Sequence, residues 1–392
     1  MMENRNILDY AKDNFKNFED SPFNSVDSLI LCQLFYGRME AQIKGESQEV
    51  WTIKDLNKAE YFGNMFFDGI SDDENRELLT ILVSNPRFRD IRIKNLITES
   101  CEKKEMQFAA VTYEISDEID YVCFRGTDGT LVGWKEDFNM AFMPETPSQA
   151  NAVRYLKIFY EENSSQKIYV GGHSKGGNLA VYSACCSDEA IQDKIIKIFS
   201  HDGPGFRDEL FTTYGYLSIS DRISKMVPQT SVIGMLLESQ EDFKVIKSTA
   251  KGIAQHSAFT WTVKEDDFEY MEGRTKEGEY LDKTIHAWLM TASLKDREIF
   301  VDALFTMFSN NGINTVKDLN SLGGKDILDI LNATEGLDEE SKKVFRSLLK
   351  KLILIGVTGK NKSILNRIEF DKNPIERIMS EINNGILPNK DK

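Results

Sequence analysis

The sequence is poor in the residues that many functions need. Its 392 residues include only four histidines, at 173, 201, 256 and 286, and eight prolines. Five cysteines are an odd number, Cys185 and Cys186 are adjacent, and no C-x-x-C pair exists. A zinc ribbon or a disulfide framework is therefore excluded, and a reduced, cytoplasmic setting is expected. No apolar run approaches the roughly 18 residues of a membrane helix; the longest candidate is Leu352–Val357. The opening residues are acidic and carry no apolar centre, so no secretory signal is expected there. Basic charge is also short: 48 Lys and Arg face 63 Asp and Glu, a net charge of -15. Such a surface repels phosphate backbones, so no nucleic-acid partner is expected, and charge-driven docking on anionic membranes is disfavoured. H-E-x-x-H is absent and the histidines are scattered, which leaves no metal motif. Gly356-Val357-Thr358-Gly359-Lys360 is too short for a phosphate-binding loop, and Asn361 stands where Ser or Thr is needed. No cofactor is expected.

What is present is ordinary globular material, 41% hydrophobic and 28% charged. At about 150 residues per domain the length suggests two. Residues 1 to about 40 read as helix, with Leu29, Ile30, Leu31, Leu34 and Phe35 on an apolar stripe. Met106–Ile115 and Ile119–Phe124 read as a hairpin around Ser116-Asp117-Glu118. Ala150–Tyr160 reads as helix, Lys167–Val170 as a buried strand, and Asn178–Cys186 as a helix of small residues. Lys194–Phe199 and Tyr216–Ser220 read as two further strands. This alternation predicts an α/β fold with a mostly parallel sheet and flanking helices. From about 275 the pattern is helical: Lys283–Leu294, Asp296–Phe308, Val316–Leu322, Asp326–Leu331 and Glu339–Leu354. Two regions are expected, a core over 1–270 with a mixed N-terminal segment, and a helical C-terminal region over 271–392. The C-terminal helices are expected to bury an apolar face on the core, a homo-oligomer contact or a membrane contact being the other uses.

The most informative stretch is Gly172-His173-Ser174-Lys175-Gly176. G-x-S-x-G is short enough to arise by chance. Here an apolar strand precedes it and a small-residue helix follows, which is the setting of a nucleophile elbow. The alternative is a glycine-rich connection or a phosphate-binding loop. A serine hydroxyl needs a base. In this arrangement the order is serine, acid, histidine, so only His256 and His286 come late enough. His286 sits in an amphipathic helix, whereas His256 sits in a loop-like segment, so His256 is the expected base. Two acids follow strands: Asp202, in Asp202-Gly203-Pro204-Gly205, and Asp221. Placing the acid two strands after the nucleophile selects Asp221, with Asp202 as the alternative; Asp221 reads equally as a helix cap. The backbone N–H of Lys175 is one expected oxyanion donor. Arg125-Gly126-Thr127, at the end of a strand, offers Thr127 as the second, or is an ordinary turn.

Phe124-Arg125-Gly126-Thr127 with Trp134 and Asp137, the elbow, Asp221 with Val227-Pro228, and Gln255-His256 with Trp261 together resemble class 3 (fungal-type) lipases. Adding Pro86-Arg87-Phe88, Gln107-Phe108, Gly133–Asp137 and Asp202–Gly205, residues 20–265 more closely resemble the Mbeg-like bacterial family of α/β-hydrolases. The resemblance implies an α/β-hydrolase fold. It also implies a serine hydrolase with Ser174 as nucleophile, His256 as base, Asp221 as acid, and Thr127 and Lys175 at the oxyanion hole. The sequence differs from the lipases in carrying Lys175 where an apolar residue is usual. The expected substrate is a small-molecule carboxylic ester or lipid. Thioester or amide cleavage on the same machinery is one alternative, and a non-catalytic scaffold binding an acyl ligand or partner is another. Segment 227–253 reads as core, or as an acyl pocket or lid.

Overall fold

The structure is a computed structural model. It describes residues 4–357 except 44–49, 68, 70, 165, 238–241, 316, 319–320, 323–328, 332–333 and 335, with backbone only for 353–357. Eleven strands occur among the described residues: β1 Trp51–Thr52, β2 Arg92–Cys101, β3 Met106–Ser116, β4 Ile119–Phe124, β5 Lys167–His173, β6 Ile195–His201, β7 Ile223–Pro228, β8 Phe243–Ile246, β9 Val263–Lys264, β10 Asp267–Phe268 and β11 Tyr270–Met271. Nine form one sheet in the order β1-β2-β3-β4-β5-β6-β7-β8-β11. β1 to β4 pair antiparallel. β4 to β8 pair parallel, and β11 closes the edge antiparallel to β8.

Both faces of the centre are covered, as a parallel sheet requires. Tyr121 and Cys123 of β4 enter one core with α1 (Ile7–Asp13), α2 (Ser25–Tyr36) and α3 (Asp72–Leu82). The alternate residues Val122 and Phe124 enter a second core with α5 (Pro147–Glu162) and α6 (Lys175–Cys185), α4 being Leu131–Asn139. The period of two along the strand thus sorts side chains between layers. Caps start the helices: Asn24 and Asp27 form a capping box at α2, Thr146 and Gln149 another at α5 with Pro147 in the first turn. Arg87 and Asp27 meet as an ion pair 2.5 Å apart with both side chains fully buried, tying α2 to the chain beyond α3. The central architecture is an α/β fold, a mostly parallel sheet with helices on both faces.

Helices α7 (Lys276–Met290), α8 (Leu294–Asn310) and α9 (Glu339–Val357) build a third apolar cluster around Phe300, Met307 and Phe345. The expected helix Lys283–Leu294 starts earlier and breaks at 291–293, where Ser293 and Asp296 cap α8. Of the expected helices Val316–Leu322 and Asp326–Leu331, residues 316, 319–320 and 326–328 lie outside the described residues, as does 358–392, while 317–318 and 329–331 are helical. Among the described residues no helix is long and apolar enough to cross a membrane.

One expected strand is absent. Tyr214–Leu217 is a helical turn capped by Thr213, and Ser220–Arg222 a 3-10 turn. Tyr216 and Ile219 are buried while Leu217 is 61% exposed. The apolar spacing is therefore three, a helical spacing, rather than two. The true strand, β7, begins only at Ile223.

Candidate active site

The parallel strands β4 to β7 all end on one edge of the sheet, and the chemistry-bearing residues follow those ends. β5 runs into Ser174, whose φ of 58° and ψ of -132° lie outside the usual regions for a side-chain-bearing residue. The turn is tight enough that a Cβ on Gly172 would overlap the Gly176 backbone, and one on Gly176 would overlap the Phe124 carbonyl. Glycine is needed at both places because strand, turn and helix backbones touch. Ser174 N–H donates to His201 O over 2.9 Å, and Gly177 N–H donates to Ser174 O over 2.9 Å. The strain is held by the sheet on one side and α6 on the other.

His173 of β5 pairs in register with His201 of β6, so Ser174 and Asp202 leave adjacent strands side by side. Asp202 too adopts a positive φ, 51°. Its carboxylate is fully buried, and Oδ2 lies 2.6 Å from His256 Nδ1. Oδ1 accepts from the Ser231 hydroxyl over 2.5 Å and from the Gly234 N–H over 3.2 Å. A side chain at Gly234 would collide with that carboxylate. With Nδ1 committed to Asp202, Nε2 is the nitrogen left for a reacting group. His256 ends the short turn Gly252–His256 and keeps 25% of its side chain exposed. Trp261, fully buried, donates its indole N–H to the neighbouring Gln255 carbonyl over 2.8 Å and so pins that turn.

His173 lies under this pair. Its ring centroid is 4.6 Å from that of His256, and its Nε2–H donates to the His256 carbonyl over 2.9 Å. Burial first, and then the nearby His256, push its pKa down to about 3. It is thus neutral, and its Nδ1 accepts from the Tyr36 hydroxyl at 3.2 Å. His201 is fully buried behind the site, with Nε2 at 2.8 Å from the Ser28 hydroxyl. His286 is exposed on α7.

The loop after β4 completes the site. A Cβ on Gly126 would sit 3.1 Å from Ser174 Cβ, which places this loop directly against the elbow. Thr127 donates its hydroxyl to Asp137 Oδ2 over 2.6 Å. Burial raises the Asp137 pKa to about 6, against the lowering influence of Lys175, the Thr127 hydroxyl and His256. The backbone N–H groups of Thr127 and Lys175 have no protein acceptor among the described residues. The Lys175 side chain turns away: Nζ donates to Gln107 O over 2.7 Å and pairs with Glu136 Oε2 at 3.1 Å, both side chains fully buried. Glu136 also accepts from the Ser148 N–H and hydroxyl and from the Gln107 N–H. A lysine is tolerated after the serine because every partner it needs is supplied.

Asp221 is not brought to the site. It lies on the turn before β7, at the opposite end of the sheet, with its side chain 84% exposed. A six-residue strand separates it from the edge that carries Ser174 and Asp202; at about 3.3 Å per residue that is far beyond hydrogen-bond reach. The neighbour of His256 is Asp202. Ser231 and Gly234, which cradle Asp202, carry no local sequence signal. In segment 227–253, Met235, Leu236 and Leu237 are half-buried beside that cradle, and 238–241 lie outside the described residues. Among the described residues no cluster of His, Cys, Asp and Glu is arranged to hold a metal. A surface depression lined by Arg5, Asp13, Asn14, Phe15, Lys16 and Asp266 contains none of these groups.

Solved structures similar to the chain include M37 lipase, 13% identical, with 54% of this chain and 70% of that one covered at a TM-score of 0.34. The Rhizomucor miehei lipase propeptide complex is 16% identical over 64% of this chain and 76% of that one, TM-score 0.33. Lipase II from Rhizopus niveus is 11% identical over 62% and 86%, TM-score 0.32. No curated protein matches the sequence. A family model described as Mbeg1-like matches residues 82–306, which include β2 to β8, the elbow, Asp202 and His256. That match takes in more than half of the chain, and the protein belongs to the Mbeg1-like family.

Proposed function

We propose that the protein is a serine hydrolase that cleaves carboxylic esters through an acyl-enzyme. The observation that carries this reading is the 2.6 Å contact between His256 Nδ1 and the buried Asp202, beside a strained serine turn on the adjacent strand. Ser174 Oγ attacks the ester carbonyl while His256 Nε2 takes its proton. Asp202 keeps the imidazole in the tautomer whose Nε2 is free, and stabilises the imidazolium that forms. The N–H groups of Lys175 and Thr127 receive the charge that develops on the carbonyl oxygen. The partial positive charge at the N-terminus of α6 adds to that stabilisation. The Thr127 hydroxyl is already committed to Asp137, which fixes the loop that presents the N–H. His256 then protonates the leaving alcohol, and water repeats the sequence to release the acid.

A dissolved ester or a lipid acyl ester is the substrate class; a thioester needs the same groups. Hydrolysis of short and medium p-nitrophenyl esters tests the reading. Turnover by the wild type, lost in Ser174→Ala, supports it, and equal rates for the two proteins overturn it.

A further inference from the structure

The C-terminal helices are attached to both margins of this site. The loops after β4, β5, β6 and β7 leave the same edge of the sheet in spatial order. The second and third carry Ser174 and Asp202. The C-terminal region grips the first and the fourth.

At the β7 end, Thr275 N–H donates to Gln229 O over 2.8 Å, and the Thr275 and Thr230 hydroxyls lie 2.8 Å apart. Arg274 donates to Ser231 O over 3.1 Å, and Ser231 is the residue whose hydroxyl holds Asp202. At the β4 end, Thr315 and Thr130 form an antiparallel bridge, with Leu131 N–H donating to Asn314 O over 3.0 Å. Lys135 pairs with Asp302 at 2.7 Å, and the Phe138 and Phe305 rings meet at 5.7 Å. Arg297 of α8 donates to Ala141 O over 2.9 Å, just past α4. Helices α7 and α8 therefore link the loop after β7 to the loop and helix after β4.

The element they grip cannot swing freely. α4 begins four residues after Thr127 and carries Glu136, buried against Lys175 on the elbow side. Moving α4 would strand that buried pair, at a cost larger than any of the surface contacts. In this docked arrangement Ser174 is half-buried and the His256 side chain 25% exposed.

We propose that α7 and α8 form a fixed strap across the site, holding the oxyanion loop in line with the Asp202–His256 pair, and that the substrate is a dissolved, monomeric ester rather than a lipid presented at an interface. This rests on the hydrolase reading of Ser174. A movable lid gates access and makes turnover depend on opening; a strap does neither.

A disulfide between Thr130→Cys and Thr315→Cys tests it. Antiparallel partners have Cα atoms about 4.5–5.5 Å apart, within the range a disulfide spans. Wild-type labelling by a fluorophosphonate, absent in Ser174→Ala, comes first; an unlabelled wild type removes the hydrolase reading and this inference with it. Given labelling, the oxidised double variant is compared with its own reduced form and with equally oxidised wild type. The strap predicts that the cross-link forms and that labelling and p-nitrophenyl butyrate turnover stay within about twofold. Loss of activity on oxidation that a reductant restores overturns it, as does a folded variant in which the cross-link does not form. On the wild type, rates that saturate below the solubility limit of the ester support it. A jump in rate only when an emulsion or vesicle surface appears contradicts it.

Discussion

The Nε2–H of His173 donates to the backbone carbonyl of His256 over 2.9 Å, so the residue before the elbow serine supports the loop of the proposed base. Tyr36, at the end of α2, holds the other nitrogen of the same ring. His173→Phe keeps a ring of similar size and removes both bonds. A buried carbonyl left without a donor costs about 1–3 kcal/mol. If that cost falls on the placement of His256, kcat drops by about five- to a hundredfold with little change in KM. Steady-state kinetics with a soluble ester measure it; an unchanged kcat would remove His173 from the account.

Asp202 and Asp221 make opposite predictions. Asp202→Asn leaves shape intact but frees His256 to take the wrong tautomer, and kcat is expected to fall by about 10³–10⁴-fold. Asp221→Asn, on an exposed turn, is expected to leave kcat within about twofold. A large loss in Asp221→Asn with a small one in Asp202→Asn would reverse the assignment.

Lys175→Met strands the Glu136 carboxylate in a site with no exposure. Removing one partner of such a pair costs about 3–5 kcal/mol. The double variant Lys175→Met/Glu136→Gln is expected to recover a large part of this. Urea midpoints of the wild type, both singles and the double give the coupling directly. Additive losses would mean that the two side chains do not depend on each other.

Asp120 on β4 is buried with no hydrogen bond to either carboxyl oxygen, and Lys94 at 4.0 Å is its one cationic neighbour among the described residues. Burial raises its pKa to about 6. Between the usual carboxylate range and about pH 6 the folded state holds a proton that the unfolded state has lost, so this group makes stability fall as pH rises. Asp120→Asn removes that dependence. Its melting temperature relative to the wild type is expected to rise from pH 4 to pH 7 and then level off. A difference independent of pH would contradict this.

The elbow was legible because it is local: strand, glycines, serine and helix are contiguous, and the crowding at Gly172 and Gly176 forces the residue types. His256 was reachable from chain order and the scarcity of histidine. The preference for Asp221 rests on counting Tyr216–Ser220 as the second strand after the nucleophile; that segment is helical, and the carboxylate that meets His256 follows β6, the first strand after β5. The cradle of Asp202 lies 29 and 32 residues away at Ser231 and Gly234, and no local pattern marks such a contact. The same holds for Lys175, whose partners Gln107 and Glu136 come from other elements. Short strands such as β7 and β8 are set by pairing within the sheet, and β-propensity alone is too dependent on context to find them.

The central claim is that Ser174 is a nucleophile activated by the Asp202–His256 pair. Peptide mass spectrometry after reaction with a fluorophosphonate tests it most directly. The account predicts a phosphonyl adduct on the peptide bearing Ser174 in the wild type and in Asp221→Asn, formed far more slowly in Asp202→Asn and His256→Gln, and absent from Ser174→Ala. An adduct on a different residue, or equal labelling rates in the wild type and His256→Gln, would contradict it.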